Sequence, residues 1–286
     1  MKLIDRLYTP QWAGGWTAAR FGFVAAASYT WLPRGVAIPD VYAVDDMIFS
    51  RGPFRLADHV VLSEPTGYGL WAAAMLGLVS LAWGGRAAKP GLLLFLLGSW
   101  LLLAAEALNI KAYDRLLTWV ALGLLLGPVG ERGLTKKARS PFGRWFLLIA
   151  FAALYGSTGW LKAIEAGEGW RSGDVLAHHL VHRWFGMNPL GVWLSDKVWF
   201  TAPASWFTLF MECGFPFLCW FRRTNALILA AGVALHVGIA SVMNVGAFSY
   251  VALAAYPVLL HPETARQLHR RITGASTDHW RRSTPG

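Results

Sequence analysis

The chain has 286 residues, 55% of them hydrophobic and only 15% charged, with a mean hydropathy of +0.41. That is too apolar for a soluble domain of this length and marks an integral membrane protein. The net charge of +10 would suit nucleic acid in a soluble protein. Here most basic residues sit in short loops between apolar runs, so the expected partner is the lipid bilayer with its anionic headgroups, and no nucleic acid.

A bilayer core of about 30 Å needs about 20 apolar residues per helix. Eight segments come close, at 14–33, 67–85, 90–109, 113–129, 143–162, 202–221, 225–244 and 247–260. The fourth opens on polar residues and the last is short. Lys2 and Arg6 precede the first segment, but Arg20 interrupts it and its length suits a retained span better than a cleaved signal. Residues 36–66 follow, carrying Asp40, Asp45, Asp46, Asp58 and Glu64. Arg86 and Lys89 lie between spans two and three, and Arg132, Lys136, Lys137, Arg139 and Arg144 between four and five. Arg222 and Arg223 lie between six and seven, and Arg266, Arg270, Arg271, Arg281 and Arg282 follow the eighth. With eight spans all these clusters share one side, and the positive-inside rule makes it cytoplasmic, with both termini there.

On the other side, residues 163–200 read as a helical segment lying on the outer interface. From Asp174 to Phe185, Leu176, Ala177, Leu180, Val181 and Trp184 fall on one arc, and Asp174, His178, His179, His182 and Arg183 on the other. Asp174, His178 and His182 recur every fourth residue, a spacing that could supply metal ligands. An amphipathic interfacial helix explains it without metal, so no metal site is assigned. Cys213 and Cys219, six residues apart in one apolar run, read as buried inert thiols. The expectation is an all-α integral membrane protein: a bundle of about eight transmembrane helices with an outer-side interfacial helical segment. Residues 1–265 form the transmembrane domain and 266–286 a polar cytoplasmic tail.

Ionisable groups inside spans are costly and are therefore functional candidates. Arg20, Glu106, Lys162, Glu212 and His236 qualify, with Asp114 and Asn244 at span ends. Counting about 1.5 Å per residue puts Glu106, Asp114, Lys162 and Asn244 in the outer part of the membrane, and Glu212 and His236 near its middle. They could converge on one outward-facing pocket. Structural readings stand beside this: Lys162 can snorkel at a helix end, Arg20 can pair with Glu106 or Glu212, and His236 can bond a backbone carbonyl. Tyr155 and Gly159 share the face of Lys162, and Gly156 and Gly159 leave room beside it.

Leu154, Tyr155, the run Gly159, Trp160, Leu161, Lys162, then Trp170 and Gly173 resemble the lysine-bearing segment of vitamin K-dependent gamma-carboxylase and its bacterial relatives. These are the horizontally transferred transmembrane (HTTM) domain family. The resemblance recurs at His236, Met243, Asn244, the block Gly246 to Tyr250, Leu253, Pro257 and His261 to Glu263, and weakly at Ala19 to Phe23. It spans about residues 10–270. It implies Lys162 as the base that deprotonates a quinol, with His236 beside it and the chemistry at the outer face. Where the carboxylase has an Asn-His pair, this chain has Tyr113 and Asp114, and it stops soon after the last span, short of the carboxylase's lumenal region. Gamma-glutamyl carboxylation is therefore not expected. Two readings stay open. One is a carboxylase-like or quinone-linked enzyme in the plasma membrane, with Lys162, His236 and Asp114 catalytic, Glu106, Tyr155, Glu212 and Asn244 lining the substrate pocket, and a membrane quinone as its cofactor or substrate. The other is a non-catalytic membrane partner in maturation, export or immunity for a secreted peptide.

Overall fold

The computed structural model describes residues 11–12, 14–42, 62–105, 110–131 and 138–273. Most of the acidic loop, the basic residues 132–137, Glu106, Lys2, Arg6, Arg281 and Arg282 lie outside these. The described chain is overwhelmingly helical. Its only strands are the two-residue β1 (Gln11–Trp12) and β2 (Ala138–Arg139), paired antiparallel.

The long helices are α1 (Gly15–Trp31), α2 (Glu64–Trp83), α3 (Ala88–Ala105), α4 (Ala112–Leu126), α5 (Phe142–Ile164), α9 (Val198–Leu218), α10 (Arg222–Val242) and α11 (Phe248–Leu259). Three short helices, α6 (Gly167–Ser172), α7 (Asp174–Val181) and α8 (Pro189–Ser195), fill the connection from α5 to α9, and α12 (Pro262–Thr273) ends the described chain. Helix α12 crosses residue 265, so the start of the polar tail is helical.

Each of the eight expected spans coincides with one long helix. Among the described residues, four of these are long and apolar enough to cross a membrane: Glu64–Trp83, Gly85–Ala105, Phe142–Ile164 and Arg222–Val242, with mean hydropathies of 1.3, 1.7, 1.4 and 1.9. The 15 residues of α4 and the 12 of α11 reach only about 22 and 18 Å, less than a bilayer core. Large apolar side chains on the outside, among them Leu76, Val79, Leu97, Phe217 and Leu227, are more than half exposed. Large apolar side chains exposed in such number suit lipid rather than water.

Local signals set the helix ends. The Ser63 hydroxyl accepts from Thr66 N–H at the start of α2, and Gly84, at φ 76°, ends it. Asp114 Oδ2 accepts from the Lys111 N–H at 2.9 Å and caps α4. Glycines let helices approach closely. A Cβ on Gly77 would meet the Gly91 carbonyl at 2.5 Å, and one on Gly98 the Leu70 carbonyl at 2.6 Å, which sets the α2–α3 hairpin.

One end of the bundle is marked by Gly85 N–H donating to the Gly130 carbonyl (2.8 Å), and by Arg144 and Asn225 both donating to the Leu259 carbonyl (3.2 Å each). Arg86, Arg144, Arg222 and Arg223 therefore collect at that end. Arg20, 2% exposed, reaches the Val129 and Glu131 carbonyls at 3.0 Å each.

Helices α5 and α9 run antiparallel but are not level. A Cβ on Gly156 would meet Pro216, and one on Gly159 would meet Cys213 N and Glu212 Cβ, both at 2.8 Å. Gly159 lies about 8 Å from the end of α5, whereas Glu212 lies about 21 Å from the start of α9. The first turns of α9 thus project about 13 Å past α5. They pack on the short helices, where a Cβ on Gly173 would meet Ala202 N at 2.6 Å.

The segment over the bundle departs from one continuous amphipathic helix. Gly173, at φ 91°, separates α6 from α7, and α7 stops at Val181 because His182 turns to extended backbone. Met187 follows in the left-handed region at φ 59°. Leu180 is fully buried, but Trp184 is 71% exposed. Val181, the last residue of α7, is also exposed at 42%, so the expected apolar arc fails from the end of α7 onward.

Candidate functional site

Lys162 sits in the last turn of α5, and its Nζ donates to both carboxylate oxygens of Glu212 on α9, at 2.6 and 2.5 Å. The Lys162 side chain is 28% exposed and that of Glu212 9%. The offset between the helices makes this pair. Glu212 looks central when counted along α9, yet it stands level with the end of α5. Above the pair, Trp170 of α6 is buried, with its ring centroid 5.4 Å from Lys162 Nζ. A cation over an indole face adds attraction to the ion pair.

Two turns below Lys162 on the same face, Tyr155 Oη lies 2.6 Å from His236 Nε2 and 2.9 Å from Tyr256 Oη. All three residues are buried. The hydroxyls can each donate or accept and the imidazole has two tautomers, so this chain can carry a proton in either direction. Phe215 packs its ring 4.8 Å from Tyr155 and closes the site against α9. Gly232, one turn before His236, makes room for Tyr256: a Cβ there would strike the Tyr256 hydroxyl and meet Met211 Cε at 2.8 Å. Among the described residues, His236 Nδ1, Trp170 Nε1 and the Ser205 and Ser249 hydroxyls are buried without a hydrogen-bond partner. Such atoms cluster where a protein meets a ligand or does chemistry.

The structure thus joins Lys162 to Glu212 and Tyr155 to His236 in one polar column between α5, α9, α10 and α11. Asp114 belongs to a different set. Its Oδ2 accepts from Arg34 Nη2 at 2.8 Å, and the Arg34 guanidinium lies 4.4 Å from the Trp31 ring. Asn244 ties α10 to the segment above it, its Nδ2 donating to the Gly186 carbonyl and its N–H to Phe185, both at 2.8 Å. Glu106 lies outside the described residues.

The histidines of the segment between α5 and α9 have their own partners. His182 stacks on Phe185, with centroids 4.4 Å apart, and its Nδ1 accepts from Trp184 N–H. Asp174 accepts from the Ser172 hydroxyl at 2.7 Å. Because α7 ends before His182, the fourth-residue spacing no longer puts Asp174, His178 and His182 on one helical face. Burial, and then the adjacent His178, hold the His179 ring below the ordinary imidazole range.

Tyr256 and Arg34 were missing from the sequence-derived set. A phenol in a short apolar run, one residue before Pro257, was the available sign for Tyr256. For Arg34 there was none, because its partner lies eighty positions away.

No curated protein and no solved structure matches this chain. The family model of the HTTM domain matches residues 130–263. That range holds Tyr155, Lys162, Trp170, Glu212, His236 and Tyr256, and leaves out Glu106 and Asp114. The polar column therefore lies wholly within the stretch that the HTTM domain model matches, a little under half of the chain.

Proposed function

We propose that the protein is a polytopic membrane enzyme of about eight spans in the plasma membrane of a bacterium. Lys162 and Glu212 act as one proton-transfer unit on a lipid-soluble substrate of the quinol class. Both termini are cytoplasmic, and the column opens toward the outer face. The basic segments gathered at the opposite end of the bundle support that orientation.

The observation that carries this reading is the bidentate contact of Lys162 with Glu212, two turns above the hydrogen-bonded Tyr155, His236 and Tyr256. For Lys162 to take a proton from a substrate hydroxyl, its own must first pass to Glu212, so neither residue works alone. Phe215 and Met211 give the column apolar neighbours, and among the described residues His236 Nδ1 is a buried polar atom without a partner that a substrate could engage. A bound quinol would supply an acidic hydroxyl, which the column's residues orient and deprotonate.

A second reading rests on the same pair. An ion pair that satisfies itself is also what a structural tie between helices looks like. The protein would then be a non-catalytic partner for a secreted peptide. Mass spectrometry of small molecules that co-purify with the full chain separates the two. The enzyme reading expects a quinone-class species in wild type that is absent from Lys162→Ala and Tyr155→Phe. Identical profiles in all three proteins would defeat it.

A further inference from the structure

At the opposite end of the bundle from Lys162, Arg144 presents a problem that its neighbours do not solve. It sits in the first turn of α5 and is 5% exposed. Its Nη2 donates to the Leu259 carbonyl at 3.2 Å, while among the described residues its Nε has no acceptor and no carboxylate pairs with it. A guanidinium this deeply buried normally finds a carboxylate or several carbonyls, because an uncompensated buried charge costs several kcal/mol.

Arg144 also lines a small cavity of about 10 Å³, together with Ser140, Pro141, Pro262 and Ala265. That is room for about one water-sized group. Next to Arg144, Trp145 Nε1 is likewise buried without an acceptor among the described residues. Trp145 does not line the cavity; Arg144 does, and it brings a donor with a full positive charge. The missing complement is therefore an anionic acceptor rather than a cation or a neutral amide. Arg222, Arg223 and Arg270 lie on the adjoining helix ends and add to the positive field.

We infer that this cavity is a phosphate site, in which one phosphate oxygen enters beside Ala265 and is held by the Arg144 guanidinium. Its place at a helix end next to the stacked Trp145 and Trp220 rings suits the phosphate of a membrane lipid headgroup. Free phosphate shares the same chemistry.

The test uses the full chain purified in detergent, with lipid removed, and follows thermal unfolding during titration with inorganic phosphate or short-chain phosphatidylglycerol. Wild type should be stabilised by at least one of the two. Phosphatidylglycerol acting at roughly tenfold lower concentration than phosphate identifies a headgroup site, and equal potency a free-phosphate site. Arg144→Gln should weaken the response by roughly tenfold or more. Should that variant fold poorly, Ala265→Leu fills the cavity, leaves Arg144 in place and should give the same loss. No response in wild type to either probe overturns the inference. So does an undiminished response in Ala265→Leu or Arg144→Gln.

Discussion

An ammonium that donates to both oxygens of a carboxylate inside a helix bundle leaves neither partner removable without consequence. Lys162→Ala strands the Glu212 carboxylate and should lower stability in detergent by about 1–3 kcal/mol, the range reduced because Lys162 is partly exposed. Lys162→Met combined with Glu212→Met removes both charges at similar volume and should recover most of that loss. A single variant as stable as wild type would show that the pair does not form. His179 makes a pH-dependent prediction of its own. Its ring favours the neutral form in the fold, so the unfolded chain takes up the proton first as pH falls. The stabilisation is complete above about 6.5, the free-imidazole value, and is lost as pH drops through the lower folded-state value. Unfolding curves from pH 7.5 to 5 should show declining stability in wild type and a flatter profile in His179→Gln.

At the scale of elements, the site exists because α5 and α9 touch at glycine. Gly159→Ala would place a methyl 2.8 Å from Cys213 N and Glu212 Cβ, parting the helices that carry the ion pair. The expected cost is about 1–3 kcal/mol by thermal unfolding. Gly238 on α10 is the internal control, since a Cβ there meets nothing within 4 Å. Gly238→Ala should be neutral or stabilising by up to about 1 kcal/mol. Helix positions were legible because apolar runs in lipid must satisfy their backbone internally. The offset of α9 was not. Nothing in the run Val198–Leu218 says that its first turns project past α5, so counting along each helix placed Glu212 and Lys162 at different depths. The stop of α7 at Val181 was equally hidden, since Trp184 and Phe185 continue the apolar period that the backbone abandons.

For the whole molecule, the proposed orientation can be tested directly. With Cys213 and Cys219 replaced by alanine, Asp196→Cys should react with a membrane-impermeant maleimide on intact cells. Arg223→Cys should react only after permeabilisation. The reverse pattern would invert the bundle and move Lys162 to the cytoplasmic face. Both positions are exposed in the fold, so a lack of labelling would not arise from burial.

The membrane character of the chain, the placement of its helices and the singling out of Lys162, Tyr155, Glu212 and His236 came from the sequence by itself. The physical reason is that an apolar solvent penalises every unsatisfied backbone group and every charge along the chain, and those penalties are written residue by residue. The grouping of those residues was decided only in three dimensions. Lys162 found Glu212, Tyr155 found His236 and Tyr256, and Asp114 found Arg34, across separations of fifty or more positions. Such pairings depend on helix register and on which faces meet at glycine, and no periodicity within one helix encodes the height of its neighbour.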